Sequence, residues 1–287
     1  MKRFLVLVNP LSHGGRSGRI LPRLRTLLSE GDFVVLENID EASRLAREAS
    51  GYEAVVACGG DGTVNAVARG VLANSDTSLK FGVLYTGTSP DFCRVHGIPT
   101  DAEQAIAVLR GGAVREIPVL TANGEPFFCS MNLGMGAAVA ASANRLRPKF
   151  GDFIGTLWAV LREVIRGRRY ALKVNGEEIR NVAHALVTRM SRIAGGLKIA
   201  PPSLADDEYA FWFVKDVSRF GCLRIVWNLY RGKPCEEIRV LRGKTAISSN
   251  LSVALEYDGD PHGSLPVMVA FSPRRLCLLV PQFKHSN

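Results

Sequence analysis

Residues 55–65, Val-Val-Ala-Cys-Gly-Gly-Asp-Gly-Thr-Val-Asn, form the most chemically specific pattern in the chain. A small, β-rich run stops in Gly59, Gly60, Asp61 and Gly62, then resumes after Thr63 as a helical pattern that includes Asn65. Glycines let backbone N–H groups approach an anion and adopt positive φ, and the start of the next helix adds partial positive charge at the same spot. The motif reads as a phosphate-binding turn. A carboxylate repels phosphate oxygens unless a divalent cation lies between them, so Asp61 points to a metal–nucleotide site rather than a bare phosphate site. Two further carboxylates, Asp258 and Asp260, flank Gly259. At i and i+2 of a glycine-containing turn they can face a common ligand, one orienting a metal or hydroxyl while the other takes a proton.

Strands and helices must alternate to position the first motif. Phe4–Val8, Phe33–Leu36, Ala54–Ala57 and Phe81–Tyr85 read as buried strands, and Gly18–Ser29, Glu41–Ala49, Val64–Leu72 and Asp101–Leu109 as helices of 3.6-residue period. Thr100 with Glu103 suggests a capping box, and Pro22 a first-turn proline. This predicts a parallel α/β domain whose loops at Asn9, Gly59 and Thr86 emerge together at the strands' carboxyl ends, where such sheets bind ligands. After about residue 115 strands follow one another. Asn123-Gly124 and Asn175-Gly176 signal hairpins, and Asp258-Gly259 falls between apolar runs 251–257 and 265–271. A mostly antiparallel β-sandwich is expected, with inserted helices around 153–166 and 219–230. The expected domains are 1–122 and 123–287, the last strand being a candidate to return to the first.

Composition sets limits. The 287 residues exceed the usual single-core size, and 47% hydrophobic with 22% charged residues describes a globular chain. No segment approaches the ~20 apolar residues of a membrane span. Met1-Lys2-Arg3 before Phe4–Val8 imitates a signal peptide, but Asn9-Pro10 interrupts the short apolar run, which reads as a strand. A net charge of +9 implies an acidic partner; without an aromatic RNP pattern or Cys/His finger, nucleic acid is not expected. The six cysteines are dispersed and read as reduced core residues of a cytoplasmic protein. Residues 153–169 have a broad apolar face with Trp158 and end in Arg166, Arg168 and Arg169, which suits either an anionic lipid surface or a sandwich cover.

Taken in order, these segments resemble the diacylglycerol kinase catalytic-domain family, which includes bacterial diacylglycerol kinases, YegS-like lipid kinases and sphingosine kinases, with NAD kinases as distant relatives. Residues 4–16 look like its first strand and Asn-Pro-x-Ser-Gly loop; residues 82–94, with Gly87-Thr88, are similar to its Gly-Thr-x-Asn-Asp-Phe segment. Residues 195–201 resemble the segment preceding a structural metal loop, and Asp258-Gly259-Asp260 stands where the family has Asp-Gly-Glu. The resemblance implies an α/β nucleotide domain beside a β-sandwich, with the active site in the cleft. It also implies ATP and Mg²⁺ as cofactors, held by Asn9, Pro10, Ser12, His13, Arg16, Gly59, Gly60, Asp61, Gly62, Thr63, Asn65, Gly87 and Thr88. Asp260 takes the family's proton-accepting position with Asp258 assisting. A structural Mg²⁺ is implied at Asp207, with the carbonyls of Leu204 and Tyr209. Arg16, Arg19, Arg94 and Lys198 are candidate phosphate or headgroup contacts.

Three departures fall at expected ligand positions: Pro90 replaces the family's Asn, Ala66 a frequent Glu, and Glu208 the Gly of an Asp-Asp-Gly turn. The leading expectation is an ATP-dependent lipid kinase acting on diacylglycerol or a related lipid, cytoplasmic and peripherally membrane-associated. The alternatives are a kinase with a soluble or unusual acceptor and a nucleotide-binding homologue without turnover. A homodimer is compatible with the sequence.

Overall fold

The structure, a computed structural model, describes residues 2–134, 137, 166–193, 196–199, 203–218, 221, 224–225, 227–228, 231, 233 and 238–282. Two compact units emerge, one of Met1–Val119 with Pro273–Asn287, the other of Leu120–Ser272.

The first unit runs β1 (Phe4–Val8), α1 (Ser12–Leu27), β2 (Gly31–Val35), α2 (Asp40–Glu48), β3 (Ala54–Gly59), α3 (Asp61–Ala73), β4 (Lys80–Tyr85), α4 (Asp91–His96) and α5 (Ala102–Gly111), and its main segment ends within β5 (Ala113–Ala122), at Val119. Its parallel sheet places β1 between β2 and β3, with β4 beside β3. The carboxyl half of the last strand, β17 (Val267–Val280), joins parallel to β4 through Leu278 and Phe81. All five residues of β1 are buried, as a two-faced parallel strand requires. Phe4, Val6, Val8, Val56 and Leu84 pack with Leu24 and Leu28 beneath α1 and with Ile106 and Leu109 of α5. Each such side chain contributes roughly 1.5–3 kcal/mol by leaving water.

Two local expectations need correction. Asp101, not Thr100, caps α5, its carboxylate accepting the N–H groups of Glu103 and Gln104; an ionised oxygen is the stronger acceptor for them. Pro22 lies inside α1 rather than in its first turn, because that helix begins at Ser12 and is interrupted at His13, Gly14 and Gly15, all at positive φ.

The second unit is built on antiparallel strand pairings, and the domain is a β-sandwich. After β5 come β6 (Glu125–Phe127), β7 (Ser130–Gly134), β8 (Tyr170–Val174), β9 (Glu177–Thr188), β10 (Arg192–Ile193), β11 (Leu197–Lys198), β12 (Glu208–Lys215), β13 (Ile238–Arg242), β14 (Thr245–Ser248), β15 (Ala254–Tyr257) and β16 (Asp260–Ser264). Central β9 pairs with β7, β8 and β12. Leu133, Leu172, Tyr209, Phe211, Phe213 and Leu255 lie in its core. Asn123-Gly124, Asn175-Gly176 and Asp258-Gly259 are two-residue turns with positive φ throughout, the geometry that closes a right-twisted hairpin. The third closes on β16 rather than on the apolar run from 265, since Tyr257 pairs with Asp260; the polar residues of β16 concealed that strand. The expected helix at 153–166 lies almost wholly outside the described residues. Of the one at 219–230, Gly221, Arg224, Ile225, Trp227 and Asn228 are helical.

Candidate functional site

Three loops leave the carboxyl ends of β1, β3 and β4 in the first unit, and side chains fasten them together. Asn9 donates from Nδ2 to Thr63 Oγ1 at 3.1 Å and accepts the Leu11 N–H on Oδ1 at 3.1 Å. Ser12 Oγ accepts the N–H of Gly60 at 3.2 Å. Ser17 and Thr86, both buried, share a hydroxyl–hydroxyl hydrogen bond of 2.6 Å, and the Thr86 N–H donates to the Gly59 carbonyl at 2.8 Å. Asn9, Ser12, Gly59, Gly60 and Thr63 are therefore in one place. Pro10 lies within the first loop, while His13, Arg16, Gly62 and Thr88 are exposed around it.

The glycines act differently from the sequence reading. Gly59, Gly60 and Gly62 are absent from the positive-φ positions; left-handed backbone occurs at His13, Gly14 and Gly15 instead. Space is what the motif glycines supply. A Cβ on Gly60 would stand 3.3 Å from Gly87 Cα, and one on Gly87 only 2.7 Å from Gly60 Cα, so the loops after β3 and β4 meet backbone to backbone.

α3 starts here with Gly60 as its cap residue and no side-chain cap, so the N–H groups of its first turn lack intrahelical acceptors and face the loops. Asp61, in that turn, accepts from Tyr85 Oη at 2.9 Å. Burial, with the Asp61 charge adding to it, holds the Tyr85 phenol well above its ordinary range. Asn65 is 5% exposed, and its Oδ1 has no hydrogen-bond partner among the described residues. An orphaned buried acceptor costs about 1–3 kcal/mol. Beside an aspartate and open helix N–H groups, it suits a ligand that brings both anionic oxygens and a cation. The residues present thus fit a nucleotide with Mg²⁺.

Of the other candidate contacts, Arg94 is spoken for. Arg94 pairs with Asp91 at 3.0 Å on α4, whose cap position is Pro90, and Asp91 also accepts from Ser89 Oγ. Arg16 instead lines a cavity of about 160 Å³ with Arg23, Tyr85, Thr86 and Asp101.

In the second unit, the 258–259 turn carries both candidate catalytic carboxylates, and they differ sharply. Asp258 accepts three backbone N–H groups, from Phe128 at 2.8 Å, Cys129 at 2.7 Å and Ser130 at 3.2 Å. Its carboxylate holds the β6–β7 connection. Asp260 is exposed, and its carboxylate makes no hydrogen bond among the described residues.

A third carboxylate went unread in the sequence. Glu256 is 4% exposed; it accepts from Asn132 Nδ2 at 2.7 Å and from the N–H of Gly259 inside the turn. Burial foremost pushes its pKa up to about 7, the neighbouring Asp258 and Asp260 charges adding to the rise against both hydrogen bonds. Glu256, Asp258 and Asp260 stand at i, i+2 and i+4, and that spacing was the available signal.

The remaining loop of interest spans 204–209. Asp207 is exposed and lies 3.7 Å from the Arg242 guanidinium, while Glu208 bonds Arg242 and accepts the N–H of Ala205 at 2.9 Å. The hydroxyl of Tyr209 donates to the Gly243 carbonyl and bonds Thr245 Oγ1. No described helix is long and apolar enough to cross a membrane.

Comparison with known proteins follows the same division. Residues 3–122 match the diacylglycerol kinase catalytic domain, and residues 129–280 the YegS C-terminal NAD kinase beta sandwich-like domain. A diacylglycerol kinase of Bacillus subtilis is 26% identical over 99% of this chain and 98% of its own length. One of Staphylococcus epidermidis is 27% identical over 92% of this chain and 88% of its own. A crystal structure of a diacylglycerol kinase from Bacillus anthracis superposes with a TM-score of 0.76 at 18% identity, covering 97% of both chains, and shows the shared fold. The chain belongs to the diacylglycerol kinase catalytic-domain family of kinases, in the group that carries the YegS-type β-sandwich.

Proposed function

We propose that this chain is an ATP- and Mg²⁺-dependent lipid kinase that transfers the γ-phosphoryl group to a hydroxyl of diacylglycerol or a related lipid at the cytoplasmic face of a membrane. The observation that carries the reading is the fastening of three strand-end loops around the start of α3, through Asn9–Thr63, Ser12–Gly60 and Ser17–Thr86. Phosphoryl transfer asks a protein for positioning and charge stabilisation more than for covalent chemistry, and fixed loops supply positioning. The first-turn N–H groups of α3 hold phosphate oxygens; Asp61 and Asn65 Oδ1 are the groups that would hold Mg²⁺. When bound, Mg²⁺ neutralises charge on the transferring phosphoryl group. Asp260 accepts the proton of the acceptor hydroxyl, and Asp258 and Glu256 keep its turn in shape. The names of the full-length relatives support the lipid acceptor. The net charge of +9 supports attraction to an anionic surface.

One observation favours a second reading, a kinase with a soluble or smaller acceptor. Asp258 is fully engaged, so the reacting carboxylate is Asp260, whose side chain is shorter than the family's Glu by one C–C bond, ~1.5 Å. Labelled ATP tested against lipid vesicles, soluble polyols and NAD, with and without Mg²⁺, separates the two. Lipid-dependent, Mg²⁺-dependent transfer supports the first; transfer only to a soluble acceptor replaces it with the second.

A further inference from the structure

The loop in which the family resemblance implies a structural Mg²⁺ already contains a cation that belongs to the chain. Arg189, at the end of β9, donates from Nη1 to the carbonyl oxygens of Ala205 at 2.9 Å, Asp206 at 3.4 Å and Glu208. Three carbonyls converging on one point create a concentration of negative dipole ends, the kind of cage that otherwise takes a hard metal ion. The guanidinium is held from behind by the ring of Phe271, 5.5 Å from Cζ to centroid. Two acidic side chains of the same loop turn elsewhere. Glu208 accepts from Arg242 and from the Ala205 N–H, and Asp207 lies beside Arg242.

We infer that the Arg189 guanidinium replaces the divalent cation in the 205–208 loop, so that this part of the second unit folds and holds its shape without metal. A metal ion in this loop, whether on these carbonyls or on those of Leu204 and Tyr209 with Asp207, would bring two positive charges against one that cannot be deprotonated; on the carbonyls of Ala205, Asp206 and Glu208 it would also need roughly 2.0–2.6 Å, in space that Nη1 fills. The occupants exclude each other. The Glu208 departure belongs to the same arrangement: its carboxylate closes the loop on Ala205 and recruits Arg242, work that a glycine could not do.

The test reads stability without nucleotide, so it stands apart from the kinase reading. Melting temperatures of the full chain and of Asp207→Asn are measured in EDTA and in millimolar Mg²⁺ or Ca²⁺. The expected result is the same metal-minus-EDTA difference in both proteins; a larger difference in the wild type would show a metal held through Asp207 and overturn the inference. Arg189→Ala should melt several degrees lower than wild type in EDTA, with Arg189→Lys recovering part of the loss. An Arg189→Ala protein that melts with the wild type in EDTA would equally overturn it.

Discussion

Asn9 and Thr63, 54 positions apart, are joined side chain to side chain by a 3.1 Å hydrogen bond from Nδ2 to Oγ1. One amide thereby shapes its own loop, through Oδ1 and the Leu11 N–H, and docks that loop on the first turn of α3. Thr63→Val keeps the size and removes the acceptor. The expected loss of ATP affinity is roughly 2- to 10-fold, the equivalent of a net hydrogen bond of about 0.5–1.5 kcal/mol. Titration calorimetry in Mg²⁺ measures it, and full affinity in Thr63→Val would mean that the bond does not position the nucleotide.

Gly87→Ala should act by crowding. The new methyl would lie 2.7 Å from Gly60 Cα and 2.6 Å from the Tyr85 hydroxyl, so the two loops must part. Overpacking of this kind costs about 1–3 kcal/mol, seen as a lower urea midpoint, and ATP binding should weaken with it. Gly60→Val should show the same pair of losses from the other side. Wild-type ATP affinity in both variants would remove the phosphate-loop reading.

Much of this region was legible in the sequence because glycine, aspartate and the apolar strand runs mark local events. The parallel strands, the three hairpin turns and the convergence of loops at Asn9, Gly59 and Thr86 all follow from short-range pattern. What the pattern concealed depends on distant partners. Gly60 reads as a conformational requirement but meets Gly87 across the sheet. Asp258 gives no sign in the sequence of the three N–H groups it accepts from 128–130 residues earlier in the chain. β16 has too few apolar residues to announce a strand, and Arg189 gives no sign of the carbonyls it meets 16 to 19 positions later.

The two aspartates of the turn should separate cleanly. Asp258→Asn keeps one acceptor oxygen where three N–H groups need a carboxylate, so the second unit should lose about 1–3 kcal/mol, measured by urea unfolding. Asp260→Asn should leave that midpoint unchanged. Equal midpoints for Asp258→Asn and wild type would return Asp258 to the list of reacting groups.

Glu256 predicts a pH dependence of stability. Its folded pKa of about 7 lies above the ordinary 4.5, so the folded state binds the extra proton in between and stability falls as pH rises through that window. The full effect is about 3 kcal/mol at 1.36 kcal/mol per unit. Glu256→Gln carries no charge to bury, so its urea midpoint should change less between pH 5 and pH 8, over roughly the same interval. A wild type no more pH-sensitive than the variant would show that Glu256 is ionised at ordinary cost.

The basic stretch at 166–169 divides by its contacts. Arg169 donates to the carbonyls of Arg168 and Val217, both at 2.8 Å, and belongs to the fold, whereas Arg168 is exposed. Replacing Arg166 and Arg168 by alanine should weaken binding to anionic vesicles, in a salt-dependent way, without changing ATP affinity. Flotation of wild type and double variant decides it; equal flotation would place membrane attachment elsewhere.

The central claim is that Asp260 accepts the proton of a lipid hydroxyl during transfer from Mg–ATP. Its most direct measurement is single-turnover phosphoryl transfer to diacylglycerol in vesicles by wild type, Asp260→Asn and Asp260→Glu, with Mg–ATP affinity measured alongside. The account predicts transfer by the wild type, a fall of roughly 10²–10⁴ in Asp260→Asn at unchanged Mg–ATP affinity, and substantial activity in Asp260→Glu. Wild-type transfer rates in Asp260→Asn, or no transfer by the wild type to any hydroxyl acceptor, would contradict it.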